Sequence, residues 1–202
     1  MLIAICGIDG AGKTTHANML VKRFKIKGYK AVYMRQHTSD YYTDSKLNKM
    51  LFDGCRETGF LEELAKYSAF DRMKQLNNNI IPQLEAGKIV VLDRYVFSSY
   101  SYYKSRGLNL NWLMKINSIM LPDITICLDI PINEARKRIN RRKKITVEEK
   151  NDSFLQNIRY NYLNQIWGKT PNYCIIDSSK DIEKVHDGIC KIIDRMTVYK
   201  IS

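Results

Sequence analysis

The sequence predicts a three-layer α/β/α fold, with a parallel sheet of about five strands and helices on both faces. Three observations carry this prediction. Short apolar runs alternate with segments of helical periodicity along the whole chain. The first run, Leu2-Ile3-Ala4-Ile5-Cys6, leads into Gly7-Ile8-Asp9-Gly10-Ala11-Gly12-Lys13-Thr14, which fits the pattern G-x-x-x-x-G-K-[ST]. A later run, Ile89-Val90-Val91-Leu92, ends in Asp93. At 202 residues the chain fits one domain, 1–202, with a sizeable core.

The glycine loop stands between a strand and a helix, the context that gives its pattern meaning. Glycines let backbone wrap closely around an anion, and loop N–H groups with a helix N-terminus face it. Lys13 supplies a mobile positive charge for the β- and γ-phosphates of a nucleotide, and Thr14 a hydroxyl for Mg²⁺. The helix that follows, to Gly28, carries Ala17, Leu20, Val21 and Phe24 at helical spacing. Ala31–Met34 reads as the second strand, and residues 35–45 as polar and irregular, at the end of a strand where open α/β sheets bind ligands.

A short helix is expected over Lys46–Phe52, and a long one over Glu57–Gly87. The long one has an apolar stripe of Leu61, Leu64, Ala65, Ala69, Met73, Leu76 and Ile80, with a bend at Pro82. Ser68 and Arg72 share one face of it, and an Arg at the stripe's edge reads as a snorkelling side chain. The third strand delivers Asp93 beside the loop, where a carboxylate can hold Mg²⁺; an acid there can also cap the next helix. Arg94 adds a phosphate-compatible charge.

Residues 96–106 are aromatic and hydroxyl-rich, and Asn109–Leu121 reads as a helix. Asp123–Asp129 is the fourth strand, Ile132–Arg142 an increasingly basic helix, Phe154–Ile166 an amphipathic helix, Tyr173–Asp177 the fifth strand and Ile182–Met196 the last helix. Residues 143–150 lack apolar periodicity and are expected to be mobile.

Net charge is +12, which raises nucleic acid as a partner. The charge concentrates at Arg136, Lys137, Arg138, Arg141, Arg142, Lys143, Lys144 and Lys150, a local cluster that fits a phosphate clamp at least as well as a nucleic-acid surface, with a solvated helix face as the plainer reading for about half of it. No apolar run approaches membrane-spanning length. The chain opens straight into a strand run, which predicts no signal peptide. Five scattered cysteines without C-x-x-C predict reduced thiols and a cytoplasmic location.

Taken together, these segments resemble the thymidylate kinase family, over nearly the whole chain. The loop from Ile8 to Thr15, Asp93-Arg94-Tyr95 with Ser98-Ser99 and Tyr102, Pro122-Asp123 with Leu128-Asp129, Phe154 with Ile158-Arg159 and Tyr162, and Ile176-Asp177-Ser178 carry the likeness. The resemblance implies a P-loop kinase fold with a short basic lid at about 138–152. It implies a nucleoside monophosphate kinase moving the ATP γ-phosphoryl to dTMP, with Mg²⁺, in a homodimer.

It also implies roles. Gly7 to Thr15 bind ATP, and Thr14 and Asp93 serve the metal. Asp9 turns to the acceptor's sugar or phosphate, Arg94 holds the acceptor phosphate, Arg72 bonds the base, and Tyr102 packs by the sugar. Arg35, Ser68 and Ser99 complete the acceptor side. Lys13, Asp9, Arg94 and lid arginines from Arg138, Arg141 and Arg142 carry catalysis, because Gly10 stands where other members have a basic residue.

Three departures fall on the acceptor side. Ser68 replaces the aromatic that stacks on thymine, Arg35-Gln36-His37 replaces R-E-P, and Tyr103 replaces a small polar residue. The alternatives are a kinase for a deoxynucleoside or another pyrimidine nucleotide and, further off, a P-loop NTPase acting on nucleic acid.

Overall fold

The structure is a computed structural model that describes residues 1–43, 58–142, 145–146, 148–166 and 172–201. Five parallel strands form one sheet: β1 (Leu2–Gly7), β2 (Ala31–Arg35), β3 (Ile89–Asp93), β4 (Ile124–Asp129) and β5 (Tyr173–Asp177). Their order is β2-β3-β1-β4-β5. β1 and β3 are buried along their whole length, as near-continuous apolar runs require, while β2 and β5 at the edges are partly exposed. Chain order reverses across β1, so the crevice opens at the carboxyl ends of β1 and β3. The register sets Ile5 of β1 and Arg35 of β2 on either side of Asp93, and pairs Gly7 with Leu128.

Helix α1 (Lys13–Ile26) buries Ala17, Leu20, Val21 and Phe24 and packs on β1, β2 and β3. Residues 39–43, expected to be irregular, form a short helix, α2 (Ser39–Thr43). The expected helix at 46–52, and Cys55, lie outside the described residues. α3 (Thr58–Gln75) widens into a π-helical turn at Leu76–Ile80 before α4 (Ile81–Glu85). Pro82 has no N–H to continue the α-helical ladder, so the expected bend takes the form of that π turn.

Two expectations for α3 are corrected. Met73 is 45% exposed, and Arg72 is only 1% exposed. Leu64, Ala65, Ala69, Leu76 and Ile80 of the expected stripe are buried, and Ser68, Arg72 and Gln75 are buried beside them, so the inward face is wider than the stripe and partly polar.

α5 (Val96–Ser105) follows β3, and α6 (Leu110–Ile116) is shorter than expected. Asn109 caps α6, its side chain accepting from Trp112 N at 3.1 Å, and Asn117 ends it by donating back to Leu113 O at 2.8 Å. α7 (Ile132–Ile139) leads to a 3₁₀ turn at Glu148–Lys150 and to α8 (Asp152–Asn161), which runs into a π turn at Tyr162–Ile166. α9 (Ile182–Ile201) packs on α1 and β5, and α5 packs on α8. Cys6, Cys127 and Cys190 are buried free thiols.

Candidate active site

The loop after β1 turns on three glycines with positive φ: Gly7 at 135°, Gly10 at 84° and Gly12 at 90°. A Cβ at Gly7 would strike Leu128 O of β4, and one at Gly10 would lie 2.7 Å from Ala135 O of α7. The glycines therefore serve packing as well as backbone shape, seating the loop against its neighbours. Lys13 is buried; its Nζ donates to Ile8 O at 2.7 Å and lies 3.8 Å from Asp9 Oδ1. Burial, followed by the charge on Arg94, pushes the Lys13 ammonium down to about 8.

Asp93 ends β3 directly beside α1. Thr14 Oγ1 donates to its Oδ2, and Tyr33 OH donates to the same atom at 3.2 Å. The second carboxylate oxygen, Oδ1, is buried without a hydrogen-bond partner. An unsatisfied carboxylate oxygen next to a threonine hydroxyl is a hard-donor pair suited to Mg²⁺, which takes one or two protein oxygens and completes its shell with phosphates and water. Among the described residues there is no cluster of three or more His, Cys, Asp or Glu to cage a metal entirely in protein.

Asp9 sits inside the glycine loop and is paired with side chains from beyond β3. Arg94 donates to its Oδ1, and Tyr102 OH to its Oδ2 at 2.7 Å. Burial alone would raise the Asp9 carboxyl, but Arg94, Lys13 and Tyr102 together hold it well below the usual carboxylate range. Arg94 also reaches Tyr102 OH at 3.2 Å and lies over its ring at 5.0 Å. Its backbone is left-handed, with φ 70°. A non-glycine residue persists there only where its surroundings overdetermine it. Here Arg94 N donates to Ile5 O at 2.9 Å and the side chain is locked by Asp9.

Arg72 of α3 is buried among polar partners. Its Nε donates to Gln36 Oε1 at 2.8 Å, and its terminal nitrogens to Asn117 Oδ1 and Ser99 Oγ. Gln36 is braced by Gln75 at 3.1 Å, and Gln75 by Arg35 O at 3.0 Å. Ser68, one turn before Arg72, is fully buried and meets Nε2 of His37. The His37 ring stacks on Tyr41, centroids 3.9 Å apart and planes 12° apart. Tyr103 points away from the cleft, its hydroxyl donating to Leu64 O at 3.0 Å. That departure thus serves packing. Arg35 is exposed and lines a groove of about 480 Å³ with His37, Thr38 and Gln75, at the outer margin of the site.

The basic segment folds back over the loop. Arg138 donates to Ser178 O at 2.9 Å and Gly10 O at 3.4 Å, tying the loop to the β5 side. Arg142 donates to Glu149 Oε1 at 2.6 Å, and its charge is felt by both Asp9 and Lys13. Arg141 is exposed and makes no hydrogen bond or ion pair among the described residues. The described part of 143–150 is hydrogen-bonded within itself. Thr146 N donates to Glu149 Oε2 at 2.8 Å and Glu149 N to Thr146 Oγ1 at 3.2 Å, a reciprocal capping box. Arg106 is anchored to Glu148 with Nε at 2.9 Å, joining α5 to this turn.

The structure thus brings Asp9, Lys13, Thr14, Asp93, Arg94 and Tyr102 into one cluster, while Arg72 meets Ser99 and Ser68 meets His37. Gln36, Asn117, Tyr33 and Arg106 escaped sequence reasoning. Gln36 lay in a segment marked only by its departure from R-E-P, and the others carry no local signal.

A glycine-rich phosphate loop with a buried lysine, facing a strand-terminal carboxylate and several arginines, defines the class of P-loop phosphotransferases. A family model described as thymidylate kinase matches residues 5–189. The chain is 35% identical to a probable thymidylate kinase of Pyrococcus horikoshii, covering 95% of this chain and 94% of that protein. It is 36% identical to the one of Thermococcus onnurineus, over 96% and 97%. A thymidylate kinase of Thermoanaerobacter sp. is 31% identical over 96% and 97%. The chain belongs to the thymidylate kinase family.

Proposed function

We propose that this protein transfers the γ-phosphoryl group of ATP to the phosphate of dTMP, giving dTDP. The observation that carries this reading is the Asp9–Arg94–Tyr102 cluster beside Lys13. It sets acceptor-directed cationic chemistry against a triphosphate loop. An acid inside an anion-binding loop serves no purpose toward ATP, but it can orient Arg94 toward a second substrate. That second substrate then already bears a phosphate, which favours a monophosphate over a deoxynucleoside.

In this reading the loop N–H groups and Lys13 hold the β- and γ-phosphates. Thr14 and Asp93 hold Mg²⁺, which supplies charge neutralisation at the transferred phosphoryl. Arg94 aligns the acceptor phosphate oxygen, Tyr102 packs by the sugar and Arg72 bonds the base. Arginines of the lid, about 138–152, offset charge in the transition state, and closure excludes water. The whole chain, 1–202, acts as one kinase domain. No helix among the described residues is long and apolar enough to cross a membrane, in keeping with a cytoplasmic enzyme. A homodimer is the assembly we propose, by family likeness.

A panel of nucleoside monophosphates with ATP and Mg²⁺ tests the reading by ADP release. dTMP is expected to be the best acceptor. Absence of ADP with every monophosphate overturns the reading.

A further inference from the structure

Tyr33 takes no part in the steps assigned to the loop and the arginines, yet its hydroxyl bonds the carboxylate that closes β3. We infer that Tyr33 is a positioning residue for the metal: its hydroxyl fixes the Asp93 carboxylate and so sets the remaining oxygen, Oδ1, for Mg²⁺ bound with ATP.

The sheet dictates the contact. Tyr33 pairs with Val91, and Arg35 with Asp93, across parallel β2 and β3. Side chains alternate along a strand, so Tyr33 and Asp93 project to the same face, with Tyr33 set back about 7 Å along the strand direction. The half-buried phenol spans that interval and donates to Asp93 Oδ2 at 3.2 Å. Thr14 Oγ1 donates to the same oxygen from α1. Oδ2 is therefore held from two elements, β2 and α1, which restrains rotation of the carboxylate. Asp93 is buried, and its Oδ1 has no hydrogen-bond partner among the described residues.

The division of donors matters to the chemistry. A threonine hydroxyl has one proton and two lone pairs. Thr14 can direct its proton to Asp93 and its oxygen to the cation, but a shift of Thr14 toward the cation loosens its hold on the carboxylate. Tyr33 reaches Oδ2 from a different element and keeps it in place through that exchange. Groups that orient a ligating carboxylate are typically worth about 10- to 100-fold in metal affinity or activity. Phenylalanine at this position would fill the same space and donate nothing.

This inference rests on the kinase reading above, and the test separates the two. Binding of AMP-PNP, a nonhydrolysable ATP analogue, is measured by calorimetry in Mg²⁺ and in EDTA. The proteins are the wild type, Tyr33→Phe, Asp93→Asn and the double variant. The wild type is expected to bind more tightly in Mg²⁺ than in EDTA. Tyr33→Phe is expected to raise Kd about tenfold in Mg²⁺ and to leave it within about twofold in EDTA. Added to Asp93→Asn, it is expected to change Kd in Mg²⁺ less than about twofold, because the two side chains act as one unit. An unchanged Kd in Mg²⁺ for Tyr33→Phe overturns the inference. So does a loss shared equally by Mg²⁺ and EDTA, which marks a merely structural role, or a full loss on top of Asp93→Asn. A wild type that releases ADP with a monophosphate, yet binds AMP-PNP no better in Mg²⁺, overturns the inference and leaves the kinase reading standing. A wild type that releases no ADP with any monophosphate overturns the kinase reading, and the ratio of Kd in Mg²⁺ and EDTA still decides the role of Tyr33.

Discussion

Asp9 and Arg94, 85 residues apart in sequence, form an ion pair in which Asp9 belongs to the phosphate loop and Arg94 to the turn after β3. The pair bridges the carboxyl ends of β1 and β3. It fixes a cation in a left-handed backbone position that the chain would not otherwise hold.

Replacing Arg94 with Ala should lower kcat/KM for the acceptor at least about 100-fold while changing KM for ATP much less. Arg94→Lys should recover only part of this, because a point charge cannot reproduce the planar fork. Steady-state kinetics at saturating ATP check it. The Asp9 carboxyl is held below its unfolded value. Its contribution to stability is therefore full above about pH 5 and lost only as pH falls from about 4 toward the depressed folded value. Asp9→Asn should flatten that acid limb in urea melts.

Lys13 sets the alkaline limit. Its ammonium is pushed down to about 8 in the protein without nucleotide. kcat/KM for ATP should fall above that pH, and kcat less, because bound phosphates favour the charged lysine. The sign for stability is opposite. Between about 8 and about 10.4 the unfolded chain holds more protons at Lys13 than the native protein, so this group makes stability rise with pH there. Lys13→Met should abolish activity and remove that rise.

The unpartnered Asp93 Oδ1 predicts where the metal dependence resides. Asp93→Asn should raise the Mg²⁺ concentration for half-maximal activity by about tenfold or more, and Thr14→Val should act in the same direction. Titration of activity against Mg²⁺ at fixed ATP checks this, and chelation with EDTA should abolish turnover in the wild type.

Among Arg138, Arg141 and Arg142, Arg142 lies where its charge reaches both Asp9 and Lys13. Arg142→Ala should reduce kcat at least about 100-fold through lost transition-state stabilisation. Arg138→Ala should chiefly raise KM for ATP, since Arg138 braces Gly10 and Ser178. Arg141→Ala should stay near wild type. Unchanged kcat in all three variants would show that catalytic charge comes from elsewhere.

Gly10→Ala should destabilise the protein by about 2 kcal/mol and weaken ATP binding. The substituted residue would hold a positive φ, and its Cβ would press on Ala135 O. Thermal melts with and without ATP separate the two effects.

Much of this protein was legible in the sequence because the relevant signals are local. The strand runs, the glycine loop, Lys13-Thr14 and the acid closing β3 are contiguous stretches whose hydrogen bonding and burial depend on near neighbours. The all-parallel sheet follows from their alternation with helices. Only the tertiary structure decided the surroundings of Arg72 and Ser68. Helix rotation turned Arg72 inward and Met73 outward, a difference of one position that the spacing of apolar residues alone does not settle. The approach of three separate elements gave Arg72 its partners Gln36, Ser99 and Asn117, with sequence separations of 36, 27 and 45 residues. The same approach placed His37 against Ser68. Such contacts are absent from any single segment, because they form only when the packing of the whole sheet brings side chains from distant elements within hydrogen-bond reach.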